Sequence, residues 1–129
     1  MRIRLLLLSL SFLIGCASLS RYVVVADVSP VQAKEPLVEL IASVVLPLGF
    51  SRGQAIESGG SSFQSFYIAS SAERIDVVVR SPAYAIRIKD YNNFDETDRT
   101  RNIKQLINEA IYRRYRITLE YKRVSDLLS

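Results

Sequence analysis

Three segments in the middle of the chain, residues 63–70, 74–80 and 84–91, place the strongest constraint on the fold. In the last two segments every second residue is apolar, so that each strand has one apolar face. These apolar residues are Ile75, Val77 and Val79 in RIDVVVR, and Tyr84, Ile86 and Ile88 in YAIRIKDY. Only short turns, at 71–72 and 81–83, separate the segments. The pattern therefore predicts an antiparallel sheet.

Two segments with helical spacing flank this predicted sheet. The first helix is expected to begin near Pro36, because proline suits a first helical turn, and to end at Pro47 and Gly49. The second is expected over residues 96–115, with acidic residues at its start and arginines at its end, as the helix dipole favours. Each helix has an apolar stripe: Leu37, Leu40, Ile41, Val44, Val45 and Leu48 in the first, and Ile103, Leu106, Ile107, Ala110 and Ile111 in the second.

The remaining segments complete the prediction of an α+β fold. Residues 51–62, SRGQAIESGGSS, are rich in glycine and serine and are expected to form a surface loop. Residues 116–123, RITLEYKR, alternate and are expected to form a final strand. The predicted order is α-β-β-β-α-β, a small, mainly antiparallel sheet with two helices on one face. Residues 34–129 form this single predicted domain.

The N-terminus has the pattern of a targeting segment. Arg2 and Arg4 precede an uncharged run of ten residues, Leu5 to Ile14. This length suits the apolar region of a signal peptide, whereas a membrane-spanning helix needs about 20 apolar residues. Without Arg2 and Arg4 the chain has 15 lysines and arginines against 13 acidic residues, so its charge does not favour nucleic acid as a partner.

The segment Leu13-Ile14-Gly15-Cys16 resembles the lipobox of bacterial lipoproteins. The resemblance implies that residues 1–15 are a signal peptide cleaved between Gly15 and Cys16. It also implies that the Cys16 thiol carries diacylglycerol, with fatty acids such as palmitate. Two or three acyl chains anchor a protein stably, whereas a single chain is marginal. Cys16 is the only cysteine, so lipidation leaves no disulfide.

The residue after the cysteine bears on localisation. In such lipoproteins an aspartate there retains the protein in the inner membrane, and this chain has Ala17. The resemblance thus implies the periplasmic face of the outer membrane. Residues 16–33 are expected to be a lipidated tether or an edge strand, since residues 22–25 are more apolar than a flexible linker. We favour the strand, with packing on a partner or the membrane as the alternative.

Few residue combinations suggest catalysis or cofactor binding. The chain has no histidine, which excludes a histidine-based triad, and we predict no cofactor or metal. The segment DYNNFDETD, residues 90–98, matches two EF-hand positions, but Phe94 and Asp95 break the pattern. Its carboxylates are therefore predicted to cap the second helix. Residues 58–62, SGGSS, lack the Gly-Lys-Ser/Thr ending of a phosphate-binding loop.

A binding surface is the remaining prediction. Arg80, Arg87 and Lys89 are expected on the sheet face opposite the helices, where a solvated face is the default of antiparallel sheets and a platform for a protein or an anionic glycan is the functional alternative. Asp76 is expected to pair with charge across the sheet. A carboxylate hydrolase using Asp76 and Asp90 is a further alternative.

These observations give two main functional hypotheses. The first is a lipid-anchored envelope lipoprotein that acts as a non-enzymatic binding or scaffold component, with an envelope protein as its partner. The alternative is an immunity or inhibitor lipoprotein that neutralises a periplasmic toxin or hydrolase.

Overall fold

The computed structural model describes residues 21–29, 33–80 and 83–127. The predicted α+β class is confirmed, but a strand precedes the first helix. The signal-peptide and lipobox predictions, at Gly15 and Cys16, lie outside the described residues. In chain order the elements are β1 (Tyr22–Asp27), α1 (Lys34–Val45), a 3₁₀ turn (Leu46–Leu48), β2 (Ser51–Ser58), β3 (Ser61–Tyr67), β4 (Glu73–Arg80), β5 (Ala83–Asp90), α2 (Asp98–Tyr115), β6 (Tyr121–Arg123) and α3 (Val124–Leu127).

The six strands form one antiparallel sheet in the order β2-β3-β4-β5-β1-β6. β1 pairs with β5 from Tyr22↔Asp90 to Asp27↔Ala85, and with the short β6 on its other side. The strand expected near residues 22–25 therefore forms, but its predicted position at a sheet edge is wrong. Because β6 covers its outer side, β1 is a buried interior strand.

The loop predicted for residues 51–62 is also wrong, since this segment forms β2 and the start of β3. Gly59 and Gly60 join the two strands with φ of 55° and 81°. Positive φ at both central residues is the requirement of a two-residue type I′ hairpin turn, which glycine meets without steric cost. Most β2 side chains are exposed at the sheet edge, so the strand has no apolar alternation to reveal it.

The final strand is shorter than predicted for residues 116–123. Arg116 ends α2 in the left-handed region, with φ of 57°, and its N–H donates to the Tyr112 carbonyl at 2.9 Å. The residues that follow have no regular secondary structure and contact the core. Leu119 is buried in the core, and the partly buried Ile117 packs against the core. Only Tyr121–Arg123 then pairs with β1.

Both helices pack on the same face of the sheet, as predicted. Their buried residues are Leu37, Val38, Ile41, Ala42 and Val45 in α1, and Thr100, Ile103, Ile107 and Ile111 in α2. They meet the alternate strand residues Tyr22, Val24, Ala26, Phe66, Ile75, Val77, Ile86 and Ile88. Among the residues that the structure describes, no helix has both the length and the apolar character needed to cross a membrane.

The N-terminus of α2 differs from its prediction. The N-cap is Thr97, whose hydroxyl accepts the N–H of Thr100 at 3.1 Å. The carboxylates expected to cap this helix have other partners: Glu96 binds Lys104, and Asp98 binds Arg101. A hydroxyl cap of this kind stabilises a helix by about 1 kcal/mol. It leaves Glu96 available to form a cleft beside the helix.

Candidate functional site

The sheet face opposite the helices holds the predicted charged residues. Asp76 is only 2 % exposed there and lies across the strands from its partners. Its carboxylate accepts hydrogen bonds from Ser65 Oγ at 2.7 Å and from Arg87 Nη2 at 3.0 Å, and it pairs with Lys89 Nζ at 3.0 Å. Asp76 therefore pairs with charge across the sheet, as the alternation predicts. We call these four residues the Asp76 cluster.

The three residues of the predicted binding surface do not form one group. Arg87 and Lys89 meet at Asp76, which neutralises part of their charge, and the Lys89 side chain is only 14 % exposed. Arg80 lies four residues from Asp76 along β4, about 13 Å away, where its Nε donates to Ser61 Oγ at 3.2 Å. This face thus presents less available positive charge than the sequence alone suggests.

The ionisation of Asp76 is fixed by its surroundings. Burial acts to raise the pKa of this carboxyl, but the hydrogen bond from Ser65 and the charges of Lys89 and Arg87 together lower it below its usual value. Asp76 is therefore a stable anion at neutral pH. A general acid or base works best when its pKa is near the working pH, and Asp76 is moved in the opposite direction.

The two carboxylates proposed for a hydrolase lie on opposite faces of the sheet. Asp90 follows Ile86 and Ile88 in alternation and shares their buried, helix-covered side, whereas Asp76 points to the other side. Asp90 accepts the N–H of Asn92 at 3.0 Å and the amide of Asn93 at 2.8 Å, which fixes the loop after β5. A pair that acts on one glycosidic bond must flank it, and these two residues do not.

A cleft that the sequence did not predict lies between the start of α2, the start of β1 and β6. Its volume is about 700 Å³. The lining is polar and aromatic, and it consists of Tyr22, Val24, Asp95, Glu96, Lys104, Tyr121, Lys122, Arg123 and Asp126. Because these residues come from four separate parts of the chain, the cleft exists only in the folded protein. We call it the α2–β6 cleft.

Glu96 is the centre of this cleft. Its Oε2 accepts a hydrogen bond from the Tyr22 hydroxyl at 2.9 Å and pairs with the Lys104 ammonium, which also donates to the Tyr22 hydroxyl at 3.1 Å. Its other oxygen accepts from Arg101 Nε at 2.8 Å. The Glu96 side chain is 26 % exposed, so an incoming ligand has access to it. We call Tyr22, Glu96, Arg101 and Lys104 the Glu96 cluster.

The groups of this cluster hold their usual charge states more firmly than in water. The hydrogen bond from Lys104 lowers the pKa of Glu96 against the opposing effect of burial. Burial acts to lower the pKa of Lys104, but its hydrogen bonds to Glu96 and Tyr22 leave that pKa raised. Burial also raises the pKa of Tyr22. At neutral pH the cluster is therefore a fixed arrangement of one anion, two cations and a neutral phenol.

Aromatic rings and cations pack together along the rest of the cleft. The Arg123 guanidinium lies 5.2 Å from the centre of the Tyr22 ring, and Lys104 Nζ lies 5.5 Å from that of Tyr121. Such cation–π contacts hold long side chains in place. Burial raises the pKa of Tyr121, whose hydroxyl has no hydrogen-bond partner among the described residues. Arg123 also pairs with Asp95 at 3.2 Å.

The cleft presents fixed charges beside aromatic surface. Within residues 21–29, 33–80 and 83–127, no group of three histidine, cysteine or acidic side chains is placed to hold a metal ion. The one sequence signal near the cleft is the acidic segment 90–98. Tyr22 and Lys104 are 82 residues apart, and no local pattern connects them.

A second groove, of about 630 Å³, separates the outer surfaces of α1 and α2. Its floor is aliphatic, with Leu40, Val44 and Leu106 among its lining residues, and Arg113 and Arg114 lie at its side. It is more apolar than the α2–β6 cleft, although Ser43 and Glu109 also line it.

Comparison with known proteins found no similarity. The chain matches no protein-family model, no curated protein and no solved structure.

Proposed function

We propose that this protein is a lipid-anchored lipoprotein of the bacterial envelope, with a domain that binds a protein partner and catalyses no reaction. In this proposal the lipid is attached to Cys16 and holds the domain at the periplasmic face of the outer membrane. The anchor is supported by the lipobox resemblance of residues 13–16. The binding role is supported by the α2–β6 cleft.

One observation carries the binding role: the charged groups of the cleft are stabilised in their ionised forms. Glu96 has a lowered pKa and Lys104 a raised one, so neither exchanges a proton readily near neutral pH. Fixed opposite charges are instead suited to orienting a complementary partner. Two tyrosines and an arginine line the same cleft, and these residue types are enriched where protein interfaces gain most of their binding energy.

The test is a comparison of two charge reversals in the full-length gene, expressed so that the native processing takes place. Lys122→Glu changes an exposed residue of the cleft, whereas Arg80→Glu changes an exposed residue at the far end of the sheet. Each protein is extracted from membranes in mild detergent and its co-purifying proteins are quantified by mass spectrometry. Cys16→Ser supplies the control for the anchor.

We expect a stoichiometric partner with the native protein and with Arg80→Glu, and its loss with Lys122→Glu. We also expect diacylglycerol on the native chain and its absence in Cys16→Ser. Loss of the partner in Arg80→Glu alone would instead place the binding surface on the sheet around Arg80. The partner's identity separates the two hypotheses: a transport or assembly component favours the accessory role, and a secreted hydrolase favours immunity.

A further inference from the structure

The distance between Cys16 and the sheet limits where the domain can lie. β1 begins at Tyr22, so only five residues separate the proposed lipid attachment site from an interior strand of the sheet. Six residue steps span at most about 20 Å when fully extended. A lipid on Cys16 therefore keeps the start of β1 within about 20 Å of the bilayer surface. This limit depends on the lipidation proposed above.

The strand register shows which end of the molecule this is. Tyr22 pairs with Asp90 at the end of β5, and Asp90 pairs with Glu73 at the start of β4. The loop of residues 91–97 leaves the sheet at the same end. The Gly59–Gly60 hairpin and Arg80, the last residue of β4, lie at the opposite end. Anchoring through Cys16 thus brings the 91–97 loop toward the membrane.

That loop exposes an aromatic side chain. Phe94 is 59 % exposed, which is more than any other large apolar residue in the part of the chain that the structure describes. The Arg21 guanidinium lies 4.4 Å from the centre of its ring. Phenylalanine is among the residues that interfacial segments bury at the boundary between headgroups and acyl chains. Arginine keeps its aliphatic stem in apolar surroundings there while its charged group extends toward the headgroups.

Three contacts hold the loop against the sheet. The Tyr22 N–H donates to the Asn93 carbonyl at 2.9 Å, which ties the loop to the start of β1. Arg123 donates to the Phe94 carbonyl and to the Asp95 carboxylate. Phe94 is therefore presented from a fixed backbone, beside the point at which the chain leads to Cys16.

We propose that the Phe94–Arg21 end of the domain docks on the phospholipid bilayer, with the Phe94 ring at the level between headgroups and acyl chains. The occupant of this surface is the membrane that carries the anchor. Arg123 is paired with Asp95, so the proposed docking depends mainly on the aromatic ring and does not require anionic lipid. The α2–β6 cleft then opens close to the membrane surface.

The chain contains no tryptophan, which provides a direct test. Phe94→Trp places a single fluorophore at the proposed contact. Ile56→Trp is the matched control, because Ile56 is 55 % exposed on the edge strand β2. Ile56 is level with Asp27, about 16 Å along the strand direction from Tyr22. Both lipidated proteins are reconstituted into zwitterionic phosphatidylcholine vesicles with bromine on the upper acyl chain.

We expect the tryptophan at position 94 to lose roughly half its emission to the brominated lipid, since side chains docked at this depth reach the acyl boundary. The tryptophan at position 56 should keep its emission. Mass spectrometry establishes that each protein carries the lipid. If the two tryptophans are then quenched equally, the docking proposal is wrong, whereas the proposed function is unaffected. If the protein is found in the membrane fraction but its measured mass shows no attached lipid, both proposals are wrong.

Discussion

The Asp76 cluster and the Glu96 cluster are built from the same chemical parts in different surroundings. In each, one carboxylate accepts a hydrogen bond from a hydroxyl and pairs with one lysine and one arginine. Asp76 is 2 % exposed and its partners are neighbours within the sheet. The Glu96 side chain is 26 % exposed and its partners come from β1 and α2. We therefore expect the same set of interactions to contribute a different free energy of stabilisation at each site.

Burial explains this difference. A carboxylate that is removed from water depends on its partners, and those partners depend on it. Near the surface, water replaces a missing partner at small cost. We infer that the Asp76 cluster stabilises the sheet, whereas the Glu96 cluster arranges a cleft that remains open to a partner.

Asp76→Asn gives the largest expected effect. The substitution keeps the shape of the side chain and leaves Lys89 and Arg87 without their buried counter-charge. We expect the free energy of unfolding to fall by about 3 kcal/mol, the range seen when one member of a buried ion pair is removed. Urea denaturation followed by circular dichroism measures it. A loss no larger than about 1 kcal/mol would show that Asp76 contributes no more than an ordinary surface ion pair. The two clusters would then not differ in their contribution to stability.

The effect of Asp76→Asn should also depend on pH. The pKa of Asp76 is lowered in the folded protein from a reference value of 3.8, so its charge stabilises the fold above that value. This contribution is lost as the pH falls through the lower, folded value. The native protein and the variant should therefore approach each other in stability progressively as the pH falls below the reference value of 3.8. A difference that stays constant over this range would show that the ionised form of Asp76 is not what stabilises the sheet.

Glu96→Gln should have a smaller effect on stability. Lys104 loses its anionic partner but keeps its hydrogen bond to the Tyr22 hydroxyl, and Arg101 keeps Asp98. We therefore expect a loss of about 1 kcal/mol in the same denaturation assay. The Tyr22 hydroxyl can still donate to the amide oxygen of the new glutamine. If Glu96→Gln were as destabilising as Asp76→Asn, the cleft would be a structural element of the fold.

The parts of the fold that the sequence predicted are those with a local apolar pattern. Ile75 and Val77 in β4, and Ile103, Ile107 and Ile111 in α2, are buried as their spacing requires. The sequence does not reveal β2, because its exposed side chains leave no such pattern. The position of β1 was missed because the pairing of Tyr22 with Asp90 depends on segments far apart in the chain.

The candidate site was less predictable for the same reason. The sequence identified Asp76 as a cross-strand partner from the alternation of β4 and β5. It gave no sign that Tyr22, Glu96 and Lys104 meet, because their contacts form only when β1 enters the sheet beside α2. The sequence analysis also assigns the carboxylates of the acidic segment to helix capping. In the structure Thr97 provides the cap, and Glu96 is therefore available for the cleft.

The most direct test is the recovery of the proposed protein partner. Glu96→Gln and Asp76→Asn are expressed from the full-length gene and compared under conditions in which circular dichroism shows both to be folded. We expect Glu96→Gln to bind the partner about tenfold more weakly, equivalent to a loss of about 1.4 kcal/mol in binding, and to recover clearly less of it than the native protein. Asp76→Asn should retain nearly all of it, despite its lower stability. Retention by Glu96→Gln together with loss in Asp76→Asn would contradict the account and would place the binding surface on the open face of the sheet.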